Sequence, residues 1–245
     1  MPLRAVSFSA DISDSDVRVP RPLLKRVARD LKRVENEFEG VLYARLGPVC
    51  GDDLSAVYVV EEDHLEDVNR AVFEIFRKYG GEDVGGVSED PEEAGEGPSY
   101  AEAGCPDSEY QDLVVALFDT YAGENRVQEI AELCDAALDP LCYDHDVSGP
   151  GRRIPGVGYV GEGTDDPTLI ATTSSLDQVG PCVGCLVGVG RGAGALPVER
   201  CERADVLPGT VMLSVVAVLN GNVVDAVKAL KRGCTGTERF PLRYL

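Results

Sequence analysis

Two short motifs hold the residue types that bind soft metals. Pro181-Cys182-Val183-Gly184-Cys185 sets two thiols three positions apart, a spacing that can grip one metal ion or form a redox pair. Cys142-Tyr143-Asp144-His145 offers a thiol and an imidazole at the same spacing, and its histidine is one of two in the chain. Cys142, His145, Cys182 and Cys185 together make a Cys₃His set of the kind Zn²⁺ accepts. An iron–sulfur cluster would prefer a fourth thiolate, and Cys201 is the nearest. Zinc or such a cluster is the cofactor class these residues imply. The plainer use of Cys182 and Cys185 is as small core residues on a glycine-rich packing surface.

A second constellation could hold an anion. Gly188-Val189-Gly190-Arg191-Gly192-Ala193 matches G-x-G-x-x-A, which needs a strand before it and a helix after it to seat a pyrophosphate. Residues 182–189 can supply a strand, but Gly194 and Pro197 oppose a following helix, and Asp205 is loosely placed for a ribose. A looser nest fits better: amides of Gly188, Gly190 and Gly192, with Arg191 adding charge. Thr172 and Thr173, at the end of a strand over 168–173, would line the same crevice; capping the next turn is their plainer use. Arg152 and Arg153 sit in a glycine-rich stretch, 148–163, expected as a long irregular loop of the kind that often carries function. Ser175 lacks the G-x-S-x-G surroundings of an acyl-transfer nucleophile. His64, beside Glu61, Glu62 and Asp63, reads as a solvated helix start.

The elements that must position these residues follow from periodicity. Residues 3–10 alternate as a strand, and Pro20 and Pro22 open a helix whose Leu24, Val27, Leu31, Val34 and Phe38 share one face. Strands over 41–46 and 54–60 meet at a Gly51-Asp52-Asp53 turn, and a second helix turns Leu65, Val68, Val72, Ile75 and Phe76 inward before Gly80. That β-α-β-β-α order is most of a ferredoxin-like sandwich. Residues 111–118 are strand or helix, 126–138 a short helix, and 211–219 a strand apolar throughout, as a central strand covered on both sides would be. Val223, Val224, Val227 and Leu230 face inward on a last helix, and a short strand is expected over 239–244. Val57 to Val72 and Val215 to Leu230 echo each other as strand feeding amphipathic helix, which predicts two related modules in tandem. The expected fold class is therefore α/β (α+β), with ferredoxin-like sandwich modules over 1–87 and 111–245. Between them, 88–110 reads as an acidic Pro/Gly-rich linker or loop.

Composition bounds the partners. With 245 residues, 44% of them hydrophobic, the chain can bury a sizeable core. Its net charge of −20 opposes both nucleic acid and anionic membranes as partners. An acidic, lysine-poor chain suits a salty cytoplasm, as in a halophilic archaeon, where screening relieves self-repulsion. Eight cysteines with no leader-like N-terminus point to reduced thiols in the cytoplasm. From Tyr79 to Asn125 there is no Lys or Arg against thirteen Asp and Glu, whereas residues 21–33 concentrate Arg21, Lys25, Arg26, Arg29, Lys32 and Arg33. The basic island is expected to pair with acidic surface, of its own chain or of a neighbour in a homo-oligomer.

The stretch Gly209 to Gly233, a strand and a helix with small residues, resembles the strand–helix half of bacterial microcompartment shell domains. The resemblance implies an assembly role and carries over no individual residue. Two functions follow: a small-molecule enzyme acting on an anionic metabolite or cofactor, sited in the C-terminal half, and a non-catalytic assembly or binding protein of tandem sandwiches.

Overall fold

Alternation along Leu3–Asp11 decides the architecture, because its odd and even side chains enter two different cores. The computed structural model describes residues 1–12, 18–80, 84–107, 111–120, 124–161, 166–202 and 207–234. The first half runs β1 (Leu3–Asp11), α1 (Arg21–Glu37), β2 (Val41–Cys50), β3 (Asp53–Glu61), α2 (Leu65–Gly80), β4 (Val87–Ser88) and β5 (Ser99–Gly104). The second runs β6 (Asp112–Thr120), α3 (Glu124–Ala136), β7 (Asp144–Val147), β8 (Arg153–Ile154), β9 (Gly158–Val160), β10 (Thr168–Thr173), α4 (Leu176–Ala193), β11 (Leu196–Pro197), β12 (Val211–Leu219), β13 (Asn222–Asp225) and α5 (Ala226–Cys234).

The first sheet has the antiparallel order β2-β3-β1-β5. In the second, β7-β10-β6-β12 repeats that order element for element, with β11 and β13 flanking β12. Both halves are thus ferredoxin-like βαββαβ sandwiches, as the first half's pattern predicts. The internal echo points to the right architecture through the wrong correspondence. The counterpart of β3–α2 is β10–α4, not the strand–helix pair near the C-terminus, where Val223 and Val224 belong to β13 rather than to a helix. The expected strand over 239–244 lies outside the described residues.

Helices cover the outer face of each sheet. Val27, Leu31 and Val34 of α1 and Val68, Val72 and Phe76 of α2 close over Val6, Phe8 and Tyr58. Leu31 and Val72 are fully buried, and burial of each such side chain contributes about 1.5–3 kcal/mol. In the second module Val127, Ile130, Cys134, Cys182 and Leu186 cover Val114, Phe118 and Leu213 in the same way. The inner faces of the two sheets meet each other, with Ala5, Val57, Val59 and Ala101 against Val115, Ile170, Val216 and Val218. The result is four layers, helices–sheet–sheet–helices.

Two segments depart from their expected roles. The supposed linker 88–110 carries β5, which pairs with β1 from Arg4↔Gly104 to Ser9↔Ser99 and completes the first sheet. The glycine-rich stretch 148–163 contains the β8–β9 hairpin, and β9 pairs with β4 of the first module. Ile154 and Val160 enter the first module's core, and Asn69 Nδ2 donates to Pro155 O at 3.0 Å. The stretch is a clasp between modules rather than a ligand-gripping loop. Modules are tied again at the sheet edge. Asp144 and Asp146 of β7 accept from the amides of Gly104 (2.6 Å) and Glu102 (2.8 Å), capping the edge of β5 that would otherwise be open to strand addition.

The outer face of α4 has an unusual cost. Gly180, Gly184, Gly188 and Gly192 recur every fourth residue, all exposed, and a Cβ on any of them would meet nothing within 4 Å. Glycine in a helix interior costs about 1 kcal/mol relative to alanine. Gly184→Ala with Gly188→Ala should therefore stabilise the isolated protein by about 1–2 kcal/mol, read as a higher thermal midpoint. A lower midpoint would contradict an open outer face on α4.

Candidate metal centre

The residues singled out from sequence land on regular elements. Cys182, Cys185, Gly188, Gly190, Arg191 and Gly192 all lie in α4, which runs unbroken from Leu176 to Ala193. Their amides are consumed by helical hydrogen bonding, so no anion nest and no dinucleotide turn forms there. The strand expected at 182–189 is this helix: Val179, Cys182, Val183, Leu186 and Gly190 face the core with helical spacing, and packing overrides poor glycine propensity. Gly190 has a packing reason, since a Cβ there would lie 2.6 Å from Leu213 Cδ2 on β12. Thr172 and Thr173 spend their hydroxyls on backbone carbonyls, Thr172 Oγ1 donating to Gly104 O at 2.7 Å and Thr173 Oγ1 to Asp112 O at 3.1 Å. Arg152 pairs bidentately with Asp146, and Arg153 lies over Tyr159. Asp205 lies outside the described residues.

Cys142, Cys182 and Cys185 lie along the α3–α4 seam, each with a backbone carbonyl in reach, and His145 faces Asp135 and Asp139. Cys142 Sγ donates to Leu138 O (3.4 Å), Cys182 Sγ to Leu141 O (3.5 Å) and Cys185 Sγ to Ala137 O (3.4 Å). Burial pushes the thiols of Cys142 and Cys182 up to about 12 and about 11, so in the metal-free protein they are neutral hydrogen-bond donors. His145 sits between Asp135 (Nδ1, 2.7 Å) and Asp139 (Nε2, 3.3 Å). Burial lowers its pKa, but the two carboxylate hydrogen bonds outweigh burial and raise it overall. These cysteines sew α3 to α4 as small core residues.

A different set of ligands converges. Among the described residues, Asp52, Asp53 and Asp119 bring one carboxylate oxygen each to within 4.8 Å of one another. Oxygens around a single hard cation, each at about 2.0–2.6 Å, lie no more than about 4–5 Å apart. The set is therefore already at coordinating separation, and its all-oxygen chemistry suits Mg²⁺, Mn²⁺ or Ca²⁺ rather than zinc or an iron–sulfur cluster.

The fold builds this site at one end of the seam between the sheets. Along the inner face of β3 the side chains run Val59, Val57, Ser55, Asp53; along β6 they run Leu113, Val115, Leu117, Asp119. Both series pass from apolar to acidic in the same direction. Between the ends lies a hydroxyl layer, where Ser7 Oγ meets Ser55 Oγ at 2.7 Å and Thr168 Oγ1 at 2.6 Å across the modules. Asp52 comes from the two-residue β2–β3 hairpin. Gly51 occupies its first central position with φ +55°, and a Cβ there would lie 1.8 Å from Asp119 Oδ2. Glycine at 51 thus serves the turn and leaves space for the carboxylate of the other module.

Electrostatics single out Asp53. It is 2% exposed, and its Oδ1 has no hydrogen-bond partner among the described residues. Burial, then the charges of Asp166 and Asp119 and a hydrogen bond shared with Asp166, hold its carboxyl well above the usual range. Cys50, paired with Asp53 across the hairpin, is raised by burial and then by Asp119 and Asp166, so its thiol stays neutral. A buried polar atom without a partner carries a desolvation penalty of about 1–3 kcal/mol. A divalent cation would remove that penalty.

Comparison with known proteins gives relatives along almost the full chain. An uncharacterized protein of Methanothermobacter thermautotrophicus is 40% identical over 230 residues, covering 91% of this chain and 93% of its own length. Uncharacterized protein MJ1676 of Methanocaldococcus jannaschii is 34% identical over 237 residues, covering 93% and 96%. Among solved structures, the "putative monooxygenase" from Lactobacillus acidophilus is 10% identical, covers 92% of this chain and 99% of that one, and superposes with a TM-score of 0.33, too loosely to carry an argument. Both sequence relatives are archaeal, in keeping with the acidic, lysine-poor composition, and no helix among the described residues is long and apolar enough to cross a membrane. The matched family model spans residues 4–234, and the chain belongs to that family, described as uncharacterised conserved protein UCP005278.

Proposed function

We propose that the protein is an enzyme that holds a hard divalent cation at Asp52, Asp53 and Asp119 and uses it to engage an anionic small molecule. The observation that carries this reading is the convergence of three carboxylates from two modules around Asp53, whose buried Oδ1 lacks a hydrogen-bond partner among the described residues. The cation would supply charge for the substrate's anionic group and would lower the pKa of a bound water. Asp52 and Asp53 anchor it from the first module and Asp119 from the second. Asp166, hydrogen-bonded to Asp53, orients that ligand. The anionic ligand expected from sequence is kept, but its site moves from α4 to the inter-module seam. Because the protein itself is acidic, the ligand would be recognised through the cation rather than through arginines.

A second reading has the cation only clamping the modules in a non-catalytic binding or assembly protein. It is favoured by the burial of Asp53 and Asp119, which leaves only Asp52 partly exposed. Ternary binding separates the two. Metal-stripped protein should melt higher with Mn²⁺, and inorganic phosphate should raise the midpoint further only when Mn²⁺ is present. If phosphate changes nothing in either condition, the enzyme reading fails and the clamp remains; if Mn²⁺ itself changes nothing, both fail.

A further inference from the structure

We propose that the exposed basic face of α1 docks the acidic tip, residues 89–96, of a second copy of this chain. Arg21, Lys25, Arg26, Arg29, Lys32 and Arg33 all lie on the exposed side of one helix in a chain of net charge −20. Arg29 and Arg33 are 62% and 60% exposed at the side chain. Three acids of the same helix, Asp30, Glu35 and Glu37, offset its six basic side chains only in part. Asp30, only 6% exposed, accepts from Lys78 (2.6 Å), Tyr79 (2.7 Å) and Arg33 (3.3 Å) and lies 3.8 Å from Arg29, and Glu35 is held by Arg45 and Lys32; among the described residues no ion pair engages Arg21, Lys25 or Arg26, which leaves that end of the helix positive.

The complementary surface is equally definite. Glu89, Asp90, Glu92, Glu93 and Glu96 are exposed, in a stretch with no Lys or Arg from Tyr79 to Asn125. The tip is built on backbone bonds, Gly95 N donating to Gly86 O (2.8 Å) and Gly161 N to Gly95 O (2.9 Å). Asp90 Oδ1 accepts from the amide of Glu92 at 3.0 Å. Gly86 leaves no room for a side chain, since a Cβ there would lie 1.5 Å from Glu96 O. A tip held this way loses little conformational entropy on docking. Among the described residues, no ion pair joins α1 to the tip within the chain.

Charge decides which partner fits. Two chains of charge −20 repel in most orientations, so the contact that survives is one placing a positive patch on a negative one. A nucleic acid would meet α1 favourably but would be repelled by the remaining acidic surface. An acidic, pre-formed tip on an identical chain meets α1 without that conflict, because tip and helix are both local features.

The test is a charge swap followed by sedimentation velocity. Variant one carries Lys25→Glu and Arg29→Glu; variant two carries Glu92→Lys and Glu93→Lys. All four positions are exposed, and near-UV circular dichroism checks that each variant keeps the wild-type fold. Wild type should associate at about 50 mM salt, with affinity falling at least tenfold by about 500 mM. Each variant alone should lose association by at least tenfold. Mixed in equal amounts, the two should associate again, since each reversed patch then meets an opposite one. A wild type that is monomeric in low salt, variants that associate as well as wild type, or a mixture that fails to recover would each overturn the proposal. So would a wild type that shifts only with an added RNA oligonucleotide.

Discussion

Asp53→Asn should abolish the Mn²⁺ response and, in metal-free buffer, melt at a higher temperature than the wild type. The amide keeps the shape of the carboxyl, so packing beside Cys50 and Gly51 is undisturbed. It removes one member of a crowded set in which Asp52, Asp119 and Asp166 all raise the Asp53 carboxyl. It also offers an N–H donor to those neighbours. Relief of one unpaired buried acceptor is worth about 1–3 kcal/mol. Functional sites commonly hold such destabilising groups, so a substitution that stabilises while removing binding is the signature sought. A variant that melts lower than wild type without metal, or that keeps the Mn²⁺ shift, contradicts the assignment of Asp53 as a ligand.

Phe8→Ala should be the most damaging single core substitution. Phe8 is fully buried on the helix-facing side of β1, edge-on to Phe76 at 5.3 Å and to Tyr100 at 5.5 Å between ring centroids. It therefore joins the sheet, α2 and β5 at one point. Truncation leaves a cavity lined by rings that cannot collapse, with an expected cost of about 3–5 kcal/mol. Urea unfolding would measure it. A loss below about 1 kcal/mol would mean the first module's core is not organised around this residue.

How much of this was legible in the sequence depends on the kind of signal. Period-3.6 stripes such as Val27, Leu31, Val34 and Val68, Val72, Phe76 gave α1 and α2, because one buried face imposes that spacing. The same signal was present in α4 as Val179, Cys182, Val183, Leu186 and Gly190, but its glycines argued against a helix, and propensity is the weaker of the two cues. β5 was hidden in a segment whose Pro, Gly and acids described its exposed flanks rather than the buried Tyr100, Ala101 and Ala103.

The candidate centre was half visible. Asp53-x-Ser55-x-Val57-x-Val59 and Leu113-x-Val115-x-Leu117-x-Asp119 each place an acid in register with a buried face, an exception that period-2 reading could have flagged. That the two acids meet depends on how the two sheets stack, and no single segment encodes that. The spacing of the Cys/His set resembles metal motifs, but spacing does not encode the hydrogen bonds those thiols and that ring make with the carbonyls of Leu141 and Ala137 and with Asp135.

The most direct measurement is anomalous diffraction at the manganese edge from crystals grown with millimolar MnCl₂. One peak is expected between the modules, about 2.0–2.6 Å from carboxylate oxygens of Asp52, Asp53 and Asp119, and it should vanish in Asp53→Asn crystals. A peak beside Cys142, His145 and Cys182 instead, or carboxylates with no peak at that manganese concentration, would contradict a hard-cation centre at this seam.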